Sequence, residues 1–156
     1  MDPFTEERLK LVHPVLADRV HKLISALEGE GFTPRVTRGL ASVADQDAIW
    51  QKGRDANGNK IGVTYTNAKG AQSNHVLGYA VDFTFLVDGK ADWTSKGFDR
   101  LVALAPSFGL RSGASWKDTP HVELSEVPAK PTDEMQQTYR DAGVDEVWKQ
   151  FPIDWV

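Results

Sequence analysis

Cysteine is absent from this chain of 156 residues, which excludes disulfides, thiol nucleophiles and thiolate metal sites together and leaves the redox compartment open. Any metal must therefore be held by His and carboxylate. An excess of one charge is lacking too. The 18 basic and 22 acidic residues are interleaved and leave a net charge of −4, so no extended basic surface offers itself to a nucleic acid or a membrane surface. Long apolar runs are also missing. The opening stretch MDPFTEERLKLVHPVLADRV mixes acids and bases within its first ten residues and reads as neither a secretory signal nor a membrane anchor. There is no internal repeat and no low-complexity segment.

What is present suits one folded unit. At 40% hydrophobic and 26% charged, with five Trp and seven Phe, the chain can bury one full core and is too short for two ordinary domains. We expect a single domain over 1–156, its motif-bearing core at about 10–125, C-terminal helices over 131–155, and no separate second domain.

Asp2-Pro3 reads as an N-cap with Pro at the first helical position. Apolar residues then recur at Leu9, Val12, Leu16, Val20, Leu23, Ile24 and Leu27, the spacing of one helix that buries a stripe. A strand is expected over Phe32–Thr37, and a helix over Val43–Lys52, capped by Ser42 with Asp45 three positions on and closed by Gly53. Residues 54–74 are rich in Asn, Gly and Lys and predict a long irregular segment with a short Val63-Thr64-Tyr65 strand; loops of that length are uncommon unless functional. From Tyr79 to Val87 the residues alternate, Tyr79, Val81, Phe83 and Phe85 on one face and Ala80, Asp82 and Thr84 on the other. A helix over Trp93–Pro106, a strand at Phe108–Arg111, a strand at His121–Leu124 and short helices over Thr132–Trp155 complete the expectation.

Two of the four histidines keep unusual company. His75 lies in Ser73-Asn74-His75-Val76-Leu77-Gly78-Tyr79-Ala80-Val81-Asp82, where Gly78 lets the chain turn between a loop-borne imidazole and a strand-borne carboxylate. An acid among Ala80, Val81, Phe83 and Thr84 is costly to bury unless paired or metal-bound. His121 opens another strand, and if that strand is the antiparallel neighbour of the first, facing side chains are close enough to share one metal. Zinc in a catalytic site takes three protein ligands and leaves a position for water. Asp118, three residues before His121 in a Pro-containing loop, is placed to act as general base on that water.

The pattern Ser73-x-His75-x-x-Gly78-x-Ala80-x-Asp82 followed by Asp118-x-x-His121 resembles the zinc D-Ala-D-Ala carboxypeptidase and L-alanyl-D-glutamate peptidase family, which includes VanY-like enzymes and phage endolysins. The resemblance covers roughly residues 10–125. Upstream, Val36-Thr37-Arg38-Gly39-Leu40 through Gln46-Asp47-Ala48-Ile49-Trp50 and Gly53-Arg54 is similar to a motif of the endolysin-like branch. It implies one zinc on His75, Asp82 and His121, with Asp118 as base. The chain departs from the family at Ala41, where an Arg usually precedes the Ser and stabilises the oxyanion; Arg38 is the candidate to supply that charge, with Gln46 orienting substrate.

Other residues admit plainer readings. Glu123 shares a face with His121 and either orients a ligand imidazole or is an exposed strand acid. Ser73 fits loop capping better than nucleophilic attack, because no base with an orienting acid is suggested beside it. His13 and His21 read as surface positions on the first helix. Trp93, Trp116, Tyr65 and Tyr79 line a cleft or fill the core, with Trp116 the strongest cleft candidate because it stands near Asp118.

Together these readings predict an α+β domain of the hedgehog and D-Ala-D-Ala-peptidase type, a mainly antiparallel sheet carrying zinc on one face and helices on the other. The resemblance implies a monomeric hydrolase of the peptidoglycan stem peptide, cutting L-Ala–D-Glu as a phage endolysin. Such an enzyme is made in the bacterial cytoplasm without a signal peptide and reaches the wall after release. The rivals are a D-Ala-D-Ala carboxypeptidase or dipeptidase and, from another class, a non-catalytic zinc module that binds peptidoglycan or a protein.

Overall fold

The computed structural model describes residues 1–153, so the end of the C-terminal expectation, at Trp155, lies outside the described residues. The single N-terminal helix is in fact two, α1 (Pro3–Leu9) and α2 (Pro14–Gly29). Pro14 is the reason: it has no N–H to donate and it disfavours helical backbone at the residue before it. The chain restarts there, with His13 as the N-cap whose Nδ1 accepts from the Val15 amide at 3.1 Å. The apolar stripe survives the break, since Leu9, Val12, Leu16, Val20, Leu23 and Leu27 are all buried.

Among the described residues, five strands form one sheet: β1 (Pro34–Arg38), β2 (Ala80–Val87), β3 (Lys90–Ala91), β4 (Leu110–Gly113) and β5 (Asp118–Leu124). The order is β1-β2-β5-β4, with β3 turning back on the end of β2, and all the pairings are antiparallel. The alternation in β2 has the expected effect. Tyr79, Val81, Phe83 and Phe85 are buried in the core with residues of α1, α2 and α4 (Gly97–Leu104), while Asp82 is on the opposite face. The β2–β5 register sets Asp82 opposite His121. A bulge between Val36 and Arg38 in β1 sets Arg38 opposite Asp82.

On the Asp82 face, α3 (Val43–Gln51) and the segment after it build a wall. Ser42 caps α3, accepting from the Asp45 amide at 3.0 Å. Segment 54–74 is irregular as expected apart from an isolated antiparallel bridge between Arg54 and Lys60 and a 3-10 turn at Gly70–Gln72, but the Val63–Tyr65 strand does not form. Those residues have no strand partner, and Val63 and Tyr65 are 77% and 69% exposed. The helix expected over Trp93–Pro106 shrinks to α4 with a 3-10 turn at Ala105–Phe108, because Asp92, Thr94 and Ser95 spend their side chains on a local turn before it. Asp118 begins β5 rather than preceding it in a loop.

The C-terminal helices α5 (Asp133–Ala142) and α6 (Val144–Gln150) close over the turn that joins His75 to β2. Trp148 donates its Nε1–H to the Leu77 carbonyl at 2.8 Å, and the His13 amide donates to the Gly78 carbonyl at 2.9 Å. Gly78 has φ of +72°, and a Cβ there would lie 2.6 Å from Cζ2 of Trp148. Gly78→Ala therefore combines left-handed strain with overpacking, and should lower unfolding free energy by roughly 3 kcal/mol, measured by urea denaturation of the metal-free protein.

Candidate metal centre and active site

His75, Asp82 and His121 come together. Each offers one ligand atom, and these atoms lie within 4.8 Å of one another. Asp82 Oδ1 is 3.2 Å from Nε2 of His75 and 3.3 Å from Nδ1 of His121. The two imidazoles thus face the carboxylate with different nitrogens, a consequence of their backbones. His75 arrives from the turn before β2 and is held from behind, its Nδ1 3.1 Å from the Gly39 carbonyl. His121 stands on β5, and its Nε2 donates to Glu123 Oε1 at 2.6 Å, two residues along the same face.

The electrostatics are those of a cation site. Burial would raise the pKa of Asp82, but the two imidazoles outweigh it and hold the carboxylate well below its usual range. Burial works against charge on His121, yet hydrogen bonds to Asp82 and Glu123 push its pKa up to about 9. Two imidazoles and a carboxylate, with their ligand atoms within 4.8 Å of one another, are a donor set that fits zinc in a three-ligand site.

That site lies in a cavity of about 310 Å³. Asp118 is at its mouth, Oδ2 3.7 Å from His121 Nδ1. Burial, then the charge of Asp82, raises its pKa, with His121, His75 and Arg38 opposing. Arg38 also lines the cavity. Its Nη2 donates to Gln46 Oε1 at 2.6 Å, and Gln46 Nε2 donates to the Ala68 carbonyl at 2.8 Å. Burial lowers the Arg38 pKa, partly offset by Asp82, Asp45 and Asp118. Gln46 is buried, so it holds Arg38 and segment 54–74 together.

Trp116 lines the cavity with its ring centroid 5.7 Å from that of His121, edge to face. Tyr65 lines it from segment 54–74. Ser73 Oγ accepts from the His75 amide at 3.2 Å, a turn-closing bond. Glu123 is buried and paired with Arg111 as well as His121.

Several residues stand apart. Ala41 borders a different cavity with Leu40 and Tyr139, and its amide donates to the His75 carbonyl at 3.1 Å. Arg54 is outside the catalytic cavity. It hydrogen-bonds the Trp50 carbonyl and stacks over the Trp50 ring at 4.3 Å. Tyr79 belongs to the core, and Trp93 stacks on Phe98 away from the cavity. His13 is not a surface residue. It is buried against Tyr79 and Trp148, and burial, then the Arg19 charge, lowers its pKa. His21 is half-exposed beside Glu6.

Sequence reasoning missed the Gly39 carbonyl behind His75 and Arg111 behind Glu123. A backbone carbonyl leaves no residue-type signal. Arg111 is found only once β4 is registered against β5.

Comparison with known proteins places the chain among peptidoglycan peptidases. The Bacillus subtilis (strain 168) peptidoglycan L-alanyl-D-glutamate endopeptidase CwlK is 28% identical over 131 residues, spanning 72% of this chain and 73% of that protein. The Serratia marcescens L-Ala D-Glu endopeptidase ChiX superposes with a TM-score of 0.57 at 26% identity, covering 90% of this chain and 91% of that one. The fold is also that of a vancomycin resistance D,D-pentapeptidase VanY from a VanB-type cassette, solved with Zn(II). There the TM-score is 0.59 at 17% identity, over 87% of this chain and 83% of the other. The family described as VanY, D-alanyl-D-alanine carboxypeptidase, matches residues 9–117, a span that holds His75, Asp82, Arg38 and the whole wall formed by α3 and segment 54–74, and to that family of metallopeptidases this chain belongs.

Proposed function

We propose that the chain hydrolyses the L-Ala–D-Glu bond of the peptidoglycan stem peptide, with zinc held by His75 Nε2, Asp82 and His121 Nδ1. The observation that carries the reading is the His75–Asp82–His121 cluster at the floor of a cavity with Asp118 at its mouth. The endopeptidase bond is favoured over D-Ala-D-Ala because CwlK and ChiX, two relatives above 25% identity, carry that activity in their names.

Zinc held by these three side chains would supply a Lewis acid to polarise a scissile carbonyl and to lower the pKa of an attacking water toward about 7. Asp118 takes the proton of that water and returns it to the leaving amine. Its position at the mouth of the cavity, about half exposed, gives it access to water and substrate. Arg38, opposite Asp82 across β1 and β2, faces the negative charge that develops on the carbonyl oxygen, and Gln46 fixes its guanidinium. Trp116 and Tyr65 flank the peptide.

The grouped ligand atoms number three, and Asp118 is farther from His121 than Asp82 is, which argues against the non-catalytic module, since a purely structural site would favour a fourth protein ligand. We propose further that the activity serves bacterial lysis, as in the endolysin-like branch whose motif the segment 36–54 resembles. Purified protein loaded with zinc is to be given L-Ala-γ-D-Glu-diaminopimelate tripeptide and, separately, the pentapeptide ending in D-Ala-D-Ala. Release of L-Ala from both supports the proposal; release of D-Ala alone overturns it in favour of the carboxypeptidase. Arg38→Ala should retain zinc and lower kcat by about 10²–10³-fold, read by steady-state kinetics on the cleaved peptide; an unchanged kcat removes Arg38 from the mechanism.

A further inference from the structure

Arg111 stands on β4, the edge strand beyond β5, and no motif in the sequence points to it. The register sets it opposite Glu123. Its Nε donates to Glu123 Oε2 at 3.0 Å and its Nη2 bonds the same oxygen. Nη2 also donates to the Val127 carbonyl at 2.7 Å. The other Glu123 oxygen takes the Nε2–H of His121 at 2.6 Å. With its side chain 2% exposed, Glu123 has no water to turn to, so its two oxygens are divided between a guanidinium and an imidazole.

We infer that Arg111 is a positioning residue of the metal centre: by fixing Glu123 it holds the Nε2–H of His121 and so aims Nδ1, the nitrogen that a metal would take in place of its proton, at the point shared with His75 and Asp82. The inference rests on the reading of that cluster as a zinc site. A neutral imidazole donates from one nitrogen and accepts at the other, and the partner of the first decides which is free. Without Arg111, Glu123 would keep one partner only, and its carboxylate could rotate away from the imidazole.

A second contact extends the same effect. Arg111 holds the Val127 carbonyl, and the next two carbonyls, of Pro128 and Ala129, accept from Asn74 Nδ2 at 2.8 and 3.3 Å. Asn74 immediately precedes His75, and Ala129 lines the cavity. The segment 125–129 is thus a strap tied at one end to the support of His121 and at the other to the neighbour of His75. Arg111 bears on the spacing of both imidazoles.

The test is the zinc dissociation constant of the full chain by competition with a chromophoric chelator, for the wild type, Arg111→Met and Arg111→Lys. Histidine ¹⁵N NMR of the zinc-loaded forms and thermal unfolding of the metal-free forms accompany it. Arg111→Met should weaken zinc binding by about 10–100-fold and blur the single Nε2–H tautomer of His121. Arg111→Lys, which keeps the charge but not the fork, should fall between. A lower melting temperature with zinc affinity within twofold of wild type and an intact tautomer would make Arg111 a purely structural residue and overturn the inference. If Arg111→Met does not fold, Arg111→Lys decides by the same measure, an affinity equal to wild type being the overturning result. A wild type that binds no zinc would sink the metal reading itself.

Discussion

Asp82→Ala is expected to remove zinc binding and, with it, peptide hydrolysis, and to destabilise the metal-free fold too, since both imidazoles lose the carboxylate that they hold in its charged form. Asp82 bridges the two imidazoles at 3.2 and 3.3 Å, whereas the Asp118 carboxylate is 3.7 Å from His121 alone. Asp82 also stands among Ala80, Val81, Phe83 and Thr84 on a central strand, where its carboxylate is costly to desolvate. Alanine at a half-buried strand position leaves no large void. The two effects separate in a thermal shift measurement with and without metal. A ligand present at 1,000 times its dissociation constant stabilises the native state by about 4 kcal/mol. The wild type should show that increment with zinc and Asp82→Ala should show none. A variant that keeps the zinc-dependent shift would take Asp82 out of the ligand set.

Asp118→Ala should have the opposite signature: zinc retained, chemistry lost. Asp118 is 3.7 Å from Nδ1 of His121, farther than Asp82, and about half of its side chain is exposed, as suits a group that exchanges protons with water and substrate rather than one that holds a metal. General acid–base catalysis contributes about 10²–10⁴-fold, so kcat on the stem peptide should fall by that factor with KM and zinc affinity little changed. Stopped assays on a defined peptide, with bound zinc quantified in the same samples, read both. Loss of zinc in this variant would reassign Asp118 as a ligand.

These two residues also show what a sequence reveals. Asp82 is legible because strand alternation has a period of two: once Tyr79, Val81, Phe83 and Phe85 are assigned inward, Asp82 must lie on the other face. That β5 lies beside β2, with His121 opposite Asp82, follows from the spacing only as a condition, and the register meets it. Pro14 was the plain warning that the first helix is broken; the continuous apolar stripe on both sides concealed it, because α2 resumes with the same face inward. His13 looked like a surface residue for the same reason, though as the N-cap of α2 it turns its ring under Trp148.

What stayed hidden depends on pairings distant in sequence. The nitrogen that each imidazole directs inward is set by Gly39 and Glu123, the first a carbonyl 36 residues away. Arg38 could be nominated from its motif, but its place in the cavity depends on the bulge after Val36 that sets it opposite Asp82. The irregular segment 54–74 reads as a loop in the sequence. The Gln46 bond to Ala68 and the seating of Lys69 over the Trp50 ring turn it into a wall of the cavity.

The most direct measurement is a crystal structure of the zinc-loaded protein with anomalous data collected at the zinc edge. The account predicts one ion bonded to His75 Nε2, Asp82 and His121 Nδ1, with Asp118 and Glu123 unligated and solvent or substrate in the remaining position. An ion closed off by Asp118 or Glu123 as a fourth protein ligand, or one sited elsewhere, would contradict it.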